Sequence, residues 1–210
     1  MKRMFDFIIA TTAFLALLPL MLLIAIMVGL TSPGGPLFRQ VRSGQNGTPF
    51  TLLKFRSMSK PRTKDKGEFD PGDASRVTWI GRILRRTKLD ELPQLWNVVR
   101  GDMSLVGPRP EVPSWTNVYP ERWKIVLSVR PGITDPASIA FRNEESILAA
   151  SDDPETCYRE EILPRKLALS EEYVQKRSLA GDFMLVIRTI WVVLGIGTGS
   201  GDGNAGQSTT

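Results

Sequence analysis

Apolar positions are concentrated at the start of the chain. From Phe7 to Leu30 no side chain is charged, and only Thr11 and Thr12 are polar. An α-helix crossing a bilayer needs roughly 20 apolar residues, so this run is long enough. It exceeds the apolar core of a secretory signal, and Thr31-Ser32-Pro33-Gly34-Gly35 is a poor cleavage site. The flanks constrain its path. Lys2 and Arg3 precede it; after it, Arg39, Arg42, Lys54, Arg56, Lys60, Arg62, Lys64 and Lys66 face a single acid, Asp65. Basic flanks stay on the cytoplasmic side, and a straight span cannot satisfy both. A helix that enters, bends and returns to the same leaflet can. Pro19, near the middle, removes an intrahelical hydrogen bond and can kink the helix there; the proline alone also fits a kinked ordinary span, and it is the charge on both flanks that favours the re-entrant form.

The remaining pattern predicts a small hairpin and several helices. After the breaker cluster Thr31 to Pro36, extended segments at Leu37–Val41 and Pro49–Phe55 flank the turn Ser43-Gly44-Gln45-Asn46-Gly47. Lys60 to Asp73 is polar and broken by two prolines, which predicts a mobile surface loop. From Ser75 to Lys88, Val77, Ile80, Ile83 and Leu84 recur at helical spacing among Arg76, Arg82, Arg85 and Arg86. Beside a membrane segment, such a basic amphipathic helix suits the headgroup layer. Further helices are expected at Glu91–Arg100, Tyr119–Val129 and within Pro154–Ser178. Asp182–Gly195, with Arg188 in its middle, is too short and polar to span and reads as a core or interfacial helix. No internal repeat is evident. The expected architecture is α+β and mainly helical: a re-entrant membrane helix over 1–31, a cytoplasmic, membrane-associated catalytic domain over 32–194, and a flexible tail over 195–210.

Composition narrows the chemistry. The net charge of +5 suits an anionic partner. One cysteine, Cys157, leaves no internal disulfide and no cysteine-based zinc site; the absence of histidine removes Ser-His and Cys-His nucleophile systems. Catalysis must rest on carboxylates, cations, hydroxyls or a hard metal held by oxygen. The densest segment for such chemistry is Leu89 to Pro110, LDELPQLWNVVRGDMSLVGPRP. Asp90 is expected to cap the helix that follows, with Glu91 in its first turn. Arg85, Arg86 and Lys88 before, and Arg100 and Arg109 after, crowd a helix N-terminus of the kind that binds phosphate.

LDELPQLWNVVRGDMSLVGPRP closely resembles the signature of the bacterial sugar transferases, the monotopic phosphoglycosyl transferases. The resemblance extends over nearly the whole ordered chain: the apolar segment with its central proline, Phe38 to Gly44, Lys54-Phe55-Arg56-Ser57-Met58, the signature itself, and Arg130-Pro131-Gly132-Ile133-Thr134. It implies an enzyme at the cytoplasmic face of the bacterial inner membrane that moves a phosphosugar from a UDP-sugar to polyprenyl phosphate, beginning glycoconjugate assembly. By this likeness Asp90 attacks the phosphate nearest the sugar and releases UMP. Polyprenyl phosphate then takes the phosphosugar from Asp90, and Glu91 helps hold Mg²⁺ on the diphosphate. The second nucleophile is already anionic, so no histidine base is required. Nearby arginines are expected to favour the ionised form of Asp90. Arg85, Arg109, Arg130 and Arg142 are candidate phosphate contacts, with a salt bridge or lipid contact as the plainer role of Arg109 and Arg130. Lys54 and Arg56 suit lipid phosphate or substrate. Membrane lipids are expected partners, a homodimer is left open, and nucleic acid is not expected, because no nucleic-acid module accompanies the basic stretch. A membrane-anchored scaffold without activity is the competing reading.

The chain departs from the family pattern in three places. Leu18 precedes Pro19 where many members carry serine, so Thr11 or Thr12 is expected to satisfy the freed backbone group. Asp135-Pro136-Ala137-Ser138 replaces a Gly-Trp-x-Gln pattern, with the later arginine kept at Arg142. Ser170 stands where a family aspartate is expected. These changes cluster where sugar and nucleotide would be read.

Overall fold

The computed structural model describes residues 1–32, 34–59 and 76–193. The loop expected at Lys60–Asp73 and the tail from Gly195 lie outside these residues. The chain opens with α1 (Lys2–Thr31), a single helix with Pro19 inside it. Two antiparallel strands follow, β1 (Leu37–Ser43) and β2 (Pro49–Phe55), in the register Leu37 to Phe55 through Ser43 to Pro49. The hairpin thus runs two residues further along the first strand than the apolar pattern suggests. Asn46 (φ 56°) and Gly47 (φ 76°) make the tight turn between the strands.

The predicted amphipathic helix forms as α2 (Trp79–Thr87). Thr78 starts it, its Oγ1 accepting from the Gly81 amide at 3.0 Å, which satisfies one of the free N–H groups of the first turn. Ile80 and Leu84 are buried, whereas Trp79, Ile83, Arg82 and Arg86 face outward. A short 3₁₀ turn, Leu89–Glu91, then leads into α3 (Gln94–Arg100). The remainder runs β3 (Ser104–Val106), α4 (Pro113–Thr116), α5 (Pro120–Val126), β4 (Gly132–Thr134), α6 (Pro136–Ala140), α7 (Glu144–Ala149) and α8 (Pro154–Cys157). A wide helical turn over Tyr158–Ile162 joins α8 to α9 (Leu163–Lys176), and α10 (Leu179–Val193) ends the described part. Strands β3 and β4 pair in parallel, Ser104 with Gly132 and Val106 with Thr134. The mainly helical α+β expectation therefore holds.

Helix α1 is held along its whole length. At its first turn Lys2 pairs with the buried Asp182 of α10, Arg3 donates to the Val98 and Val99 carbonyls, and Asp6 accepts from Ser104 Oγ at 2.8 Å. Ala10 packs with Leu52, Leu95, Val98 and Met103, and further along Met21, Ile24 and Val28 pack with Phe55, Ile80 and Leu84. The opposite side, including Phe7, Ile8, Leu15, Leu22, Leu23, Ile26 and Leu30, is exposed. Of the two hydroxyls expected to serve the carbonyl freed by Pro19, Thr11 is ruled out. Thr11 Oγ1 is buried without a hydrogen-bond partner, so it does not satisfy the carbonyl freed by Pro19. Its hydroxyl sits too far along the helix, eight residues before the proline rather than four.

A second core lies beneath α5 and α9, where Trp115, Trp123, Val126, Tyr158, Leu163 and Leu167 pack together. Fully burying side chains of this size contributes about 1.5–3 kcal/mol each. This core fixes α9 against the loop that carries Arg109.

Candidate active site

Asp90 and Glu91 occupy the 3₁₀ turn, and both are more than nine-tenths buried. The turn forms because Lys88 ends α2 in the left-handed region (φ 57°), which redirects the chain. A non-glycine residue there costs about 1–2 kcal/mol, and such strain persists where surrounding structure enforces it. Asp90 is not a helix cap, contrary to expectation: it lies inside the turn, and Pro93 rather than Asp90 precedes α3. Its Oδ1 is buried with no hydrogen-bond partner.

Glu91 is placed differently. Lys54 Nζ, from the end of β2, donates to its Oε1 at 3.1 Å. Arg109 donates from Nη2 to the same oxygen at 2.6 Å and makes a longer 3.4 Å contact from Nη1 to Oε2. The two carboxyls therefore diverge in charge behaviour. Burial pushes Asp90 above its ordinary value, aided by Glu91 and opposed by Lys54, Lys88 and Arg109. The expectation that neighbouring cations favour its ionised form is corrected on this point, because desolvation outweighs them. Burial also works to raise Glu91, but Arg109 and Lys54 outweigh it and hold the carboxyl well below the usual range. Burial lowers the Lys54 amine despite the attraction of Glu91.

Three elements set this geometry. Asn97, fully buried on α3, accepts from the Leu53 amide at 3.1 Å and donates to the Thr51 carbonyl at 2.8 Å. It ties α3 to β2 immediately beside Lys54. Arg109 leaves β3 through Gly107-Pro108, and that loop lies directly on β4. The Gly107 amide donates to the Thr134 carbonyl at 3.0 Å and the Gly132 amide to the Pro108 carbonyl at 2.9 Å. A Cβ on Gly132 would stand 2.1 Å from the Gly107 nitrogen, so only glycine allows this approach.

Beyond Arg109 lies a buried polar network that the sequence pattern did not disclose. Glu111 accepts from Tyr158 Oη at 2.7 Å, Arg42 Nη1 at 3.2 Å and its neighbour Val112 N at 3.2 Å. Lys166 stands 3.7 Å from Glu111 and 3.0 Å from Glu144. Burial would raise Glu111, but Lys166 and Arg42 keep it below its ordinary value. Asp135, fully buried, caps α6 by accepting from the Ser138 amide at 2.8 Å, and Ser170 Oγ is 3.5 Å from its other oxygen. The one sequence cue for these residues was polar side chains within apolar surroundings, of which Asn97 in the middle of α3 is the clearest.

The other candidate cations have separate partners. Arg56 donates to the carbonyls of Gly34, Gly35 and Leu37, bracing the turn after α1. Arg85 pairs with Glu145 of α7. Arg130 is exposed, and its Nε donates to the Gly101 carbonyl at 3.0 Å. Arg142 is half-buried between α6 and α7. The structure thus gathers Asp90, Glu91, Lys54 and Arg109 at one point and gives Arg56, Arg85 and Arg130 other contacts.

Comparison with known proteins matches the chain to a family. The profile of the family described as bacterial sugar transferase matches residues 1–195. The chain is 39% identical over 193 residues to UDP-glucose:undecaprenyl-phosphate glucose-1-phosphate transferase of Caulobacter vibrioides, covering 90% of this chain and 68% of that protein. It is 36% identical to the exopolysaccharide production protein ExoY of Sinorhizobium fredii, over 90% of this chain and 83% of the relative. It is 33% identical to the UDP-N-acetylgalactosamine-undecaprenyl-phosphate N-acetylgalactosaminephosphotransferase of Aeromonas hydrophila, over 92% of this chain but only 43% of that longer protein.

Proposed function

The chain belongs to the bacterial sugar transferase family, and on that premise we propose that it transfers a phosphosugar from a UDP-sugar to undecaprenyl phosphate or a similar polyprenyl phosphate. The relatives' names supply this substrate pair, and they differ in the sugar they carry. The observation that carries the reading is the unequal pairing of Asp90 and Glu91. Glu91 is paired through one oxygen with two cations, whereas Asp90 keeps a buried oxygen without a partner. An unpaired buried carboxylate oxygen is costly unless something uses it.

In this reading an Asp90 carboxylate oxygen attacks the phosphorus that bears the sugar. The bond between that phosphorus and the bridging oxygen breaks, and UMP leaves with the electron pair. A phosphate oxygen of the polyprenyl acceptor then attacks the same phosphorus. The bond to Asp90 breaks, the carboxylate is restored, and polyprenyl diphosphosugar is formed. Neither step needs a proton removed from the nucleophile. Burial suits the first step, because a poorly solvated carboxylate is a better nucleophile and electrostatic stabilisation is stronger away from water. Arg109 and Lys54 lie next to the pair and would stabilise charge developing on the phosphates.

Mg²⁺ is the proposed cofactor. Glu91 suits it: the carboxyl is held ionised, and its Oε2 has only the long 3.4 Å contact with Arg109, leaving lone pairs for a hard cation. Among the described residues no three carboxylates converge, so the ion would draw its remaining ligands from substrate phosphates and water. Bound there, it would neutralise diphosphate charge as UMP departs.

We further read the chain as monotopic, with its catalytic domain on the cytoplasmic face of the inner membrane. Both ends of α1 contact the same body, Lys2 and Arg3 at one end and Val28 at the other, while its opposite side is an exposed apolar face. Apolar area of that extent is suited to lipid.

The test is a panel of UDP-sugars offered with Mg²⁺ to the purified, detergent-solubilised chain. One of them should release UMP and leave a phosphosugar adduct on Asp90 before any acceptor lipid is added, and Asp90→Asn should abolish both. UMP release only in the presence of polyprenyl phosphate, with no adduct trapped, would overturn the two-step mechanism.

A further inference from the structure

We propose that Arg42 is a positioning residue for the transfer, fixing the loop that carries Arg109 to the hairpin that carries Lys54. This rests on the transferase reading above. Glu91 Oε1 receives Lys54 at 3.1 Å and Arg109 at 2.6 Å. The two cations come from different parts of the chain, so their spacing depends on how the hairpin meets the Arg109 loop.

Arg42 stands at that junction. Its Nη1 donates to the Pro110 carbonyl at 3.2 Å and to Glu111 Oε2 at 3.2 Å, and its Nη2 donates to Gln40 Oε1 at 2.7 Å. One guanidinium thus joins β1 to the two residues that follow Arg109. The Ser43 amide adds a backbone bond to the Glu111 carbonyl at 2.9 Å. Arg42 and Lys54 belong to one paired unit, Arg42 opposite Phe50 and Lys54 opposite Phe38. A shift of the loop at Arg42 is therefore a shift of Arg109 relative to Lys54.

The loop is stiff within itself but needs an external hold. Pro108 and Pro110 fix φ on either side of Arg109, and a residue before proline is confined to extended backbone. Such a segment moves as a unit. Strand β4 holds its first residues through Gly107 and Pro108, whereas Arg42 and Ser43 hold its last. Tyr158 Oη donates to the other oxygen of the buried Glu111 carboxylate at 2.7 Å, and Lys166 stands 3.7 Å away. Removing Arg42 leaves that carboxylate paired, so the loss falls on the junction rather than on the core beneath α5 and α9. The planar fork of arginine reaches these acceptors together, and a lysine ammonium keeps the charge without the fork.

The test is a kinetic double-mutant cycle on the full chain in detergent, with Mg²⁺ and the UDP-sugar that the panel identifies. Arg42→Gln should lower kcat at least about tenfold, because small misplacements of a charge-stabilising group are costly. The KM for the UDP-sugar should stay within about twofold. Arg42→Lys should recover only part of the loss. In an Arg109→Lys background, Arg42→Gln should cost less than about twofold, since its effect runs through a cation already altered. A general structural defect would lower the rate equally in both backgrounds, and that additivity would overturn the proposal. So would wild-type kcat in Arg42→Gln, a rise in KM alone, or full recovery in Arg42→Lys. If Arg42→Gln melts far below wild type, Gln40→Ala, which removes the brace on Nη2, carries the same cycle with a smaller loss. Amide exchange at Ser43 reads the junction without reference to activity and should quicken in Arg42→Gln. Should wild type release UMP from no sugar, the transferase reading falls while Ser43 exchange still decides whether Arg42 holds the loop; unchanged exchange would overturn that hold as well.

Discussion

Asp90 and Glu91 are adjacent in one turn and almost equally buried, yet Glu91 is held by Lys54 and Arg109 while Asp90 keeps an unpartnered oxygen. Neutralising either carboxylate should therefore move stability in opposite directions. Asp90→Asn removes a desolvated charge and should raise the melting midpoint, on the order of 2–4 °C, while abolishing UMP release. Glu91→Gln leaves two cations without their counter-charge. It should cost about 1–3 kcal/mol, less than a fully buried pair because Arg109 is still 31% exposed. Paired thermal melts would check both signs.

The pH dependence follows from the same asymmetry. In the proposed mechanism attack requires ionised Asp90, whose carboxyl lies above its ordinary value because of burial. Turnover should rise with pH through that elevated value and fall away below it. Stability behaves in the reverse sense at this residue: a raised folded-state pKa means stability is gained as pH falls through it. Glu91 has a lowered folded-state value, so its contribution is present above its unfolded pKa and lost as pH falls through the folded one. Measured from about pH 2 to 7, on both sides of the ordinary carboxylate pKa of about 4, the midpoint of Asp90→Asn should gain on wild type as pH rises, and the deficit of Glu91→Gln should close as pH falls below about 4.

Asn97 connects α3, the helix after the carboxylate turn, to the strand bearing Lys54. Asn97→Ala would leave the Leu53 amide and the Thr51 carbonyl without this partner. A loss of about 1–3 kcal/mol is expected, together with reduced turnover because Lys54 is no longer fixed against Glu91. Chemical denaturation and UMP release would check the two effects.

Gly132→Ala should displace the Arg109 loop, since the added methyl meets the Gly107 backbone at 2.1 Å. Backbone cannot yield as a flexible side chain would. Turnover is expected to fall at least tenfold, consistent with loss of a positioned cation beside the reacting phosphate. Retention of wild-type rate would show that Arg109 is not held by this contact.

Membrane orientation gives a further test. With Lys2 paired to Asp182 and Arg3 bound to the end of α3, a cysteine inserted directly after Met1 in a Cys157→Ser background should react with an impermeant maleimide only after the cytoplasmic face is opened. Labelling of intact cells' periplasmic side would identify a straight span instead.

Much of this molecule was legible in residue order. The apolar run, the hairpin and α2 follow from local periodicity and breakers, and the choice of Asp90–Glu91 as candidates from their chemistry, because those signals lie within a few residues of one another. The resemblance of LDELPQLWNVVRGDMSLVGPRP to the bacterial sugar transferases was likewise contained in the sequence, and the family match confirms it. Pairing was not. Whether Asp90 caps a helix or stands unpaired depends on the left-handed turn at Lys88. Its ionisation depends on desolvation by segments distant in the chain. Arg56, Arg85 and Arg109 look alike as basic residues, and only tertiary packing assigns them to backbone carbonyls, to Glu145 and to Glu91. Burial and long-range electrostatics are properties of assembled surfaces, so the sequence by itself determined which groups are present, and the tertiary structure decided which of them remain free to react.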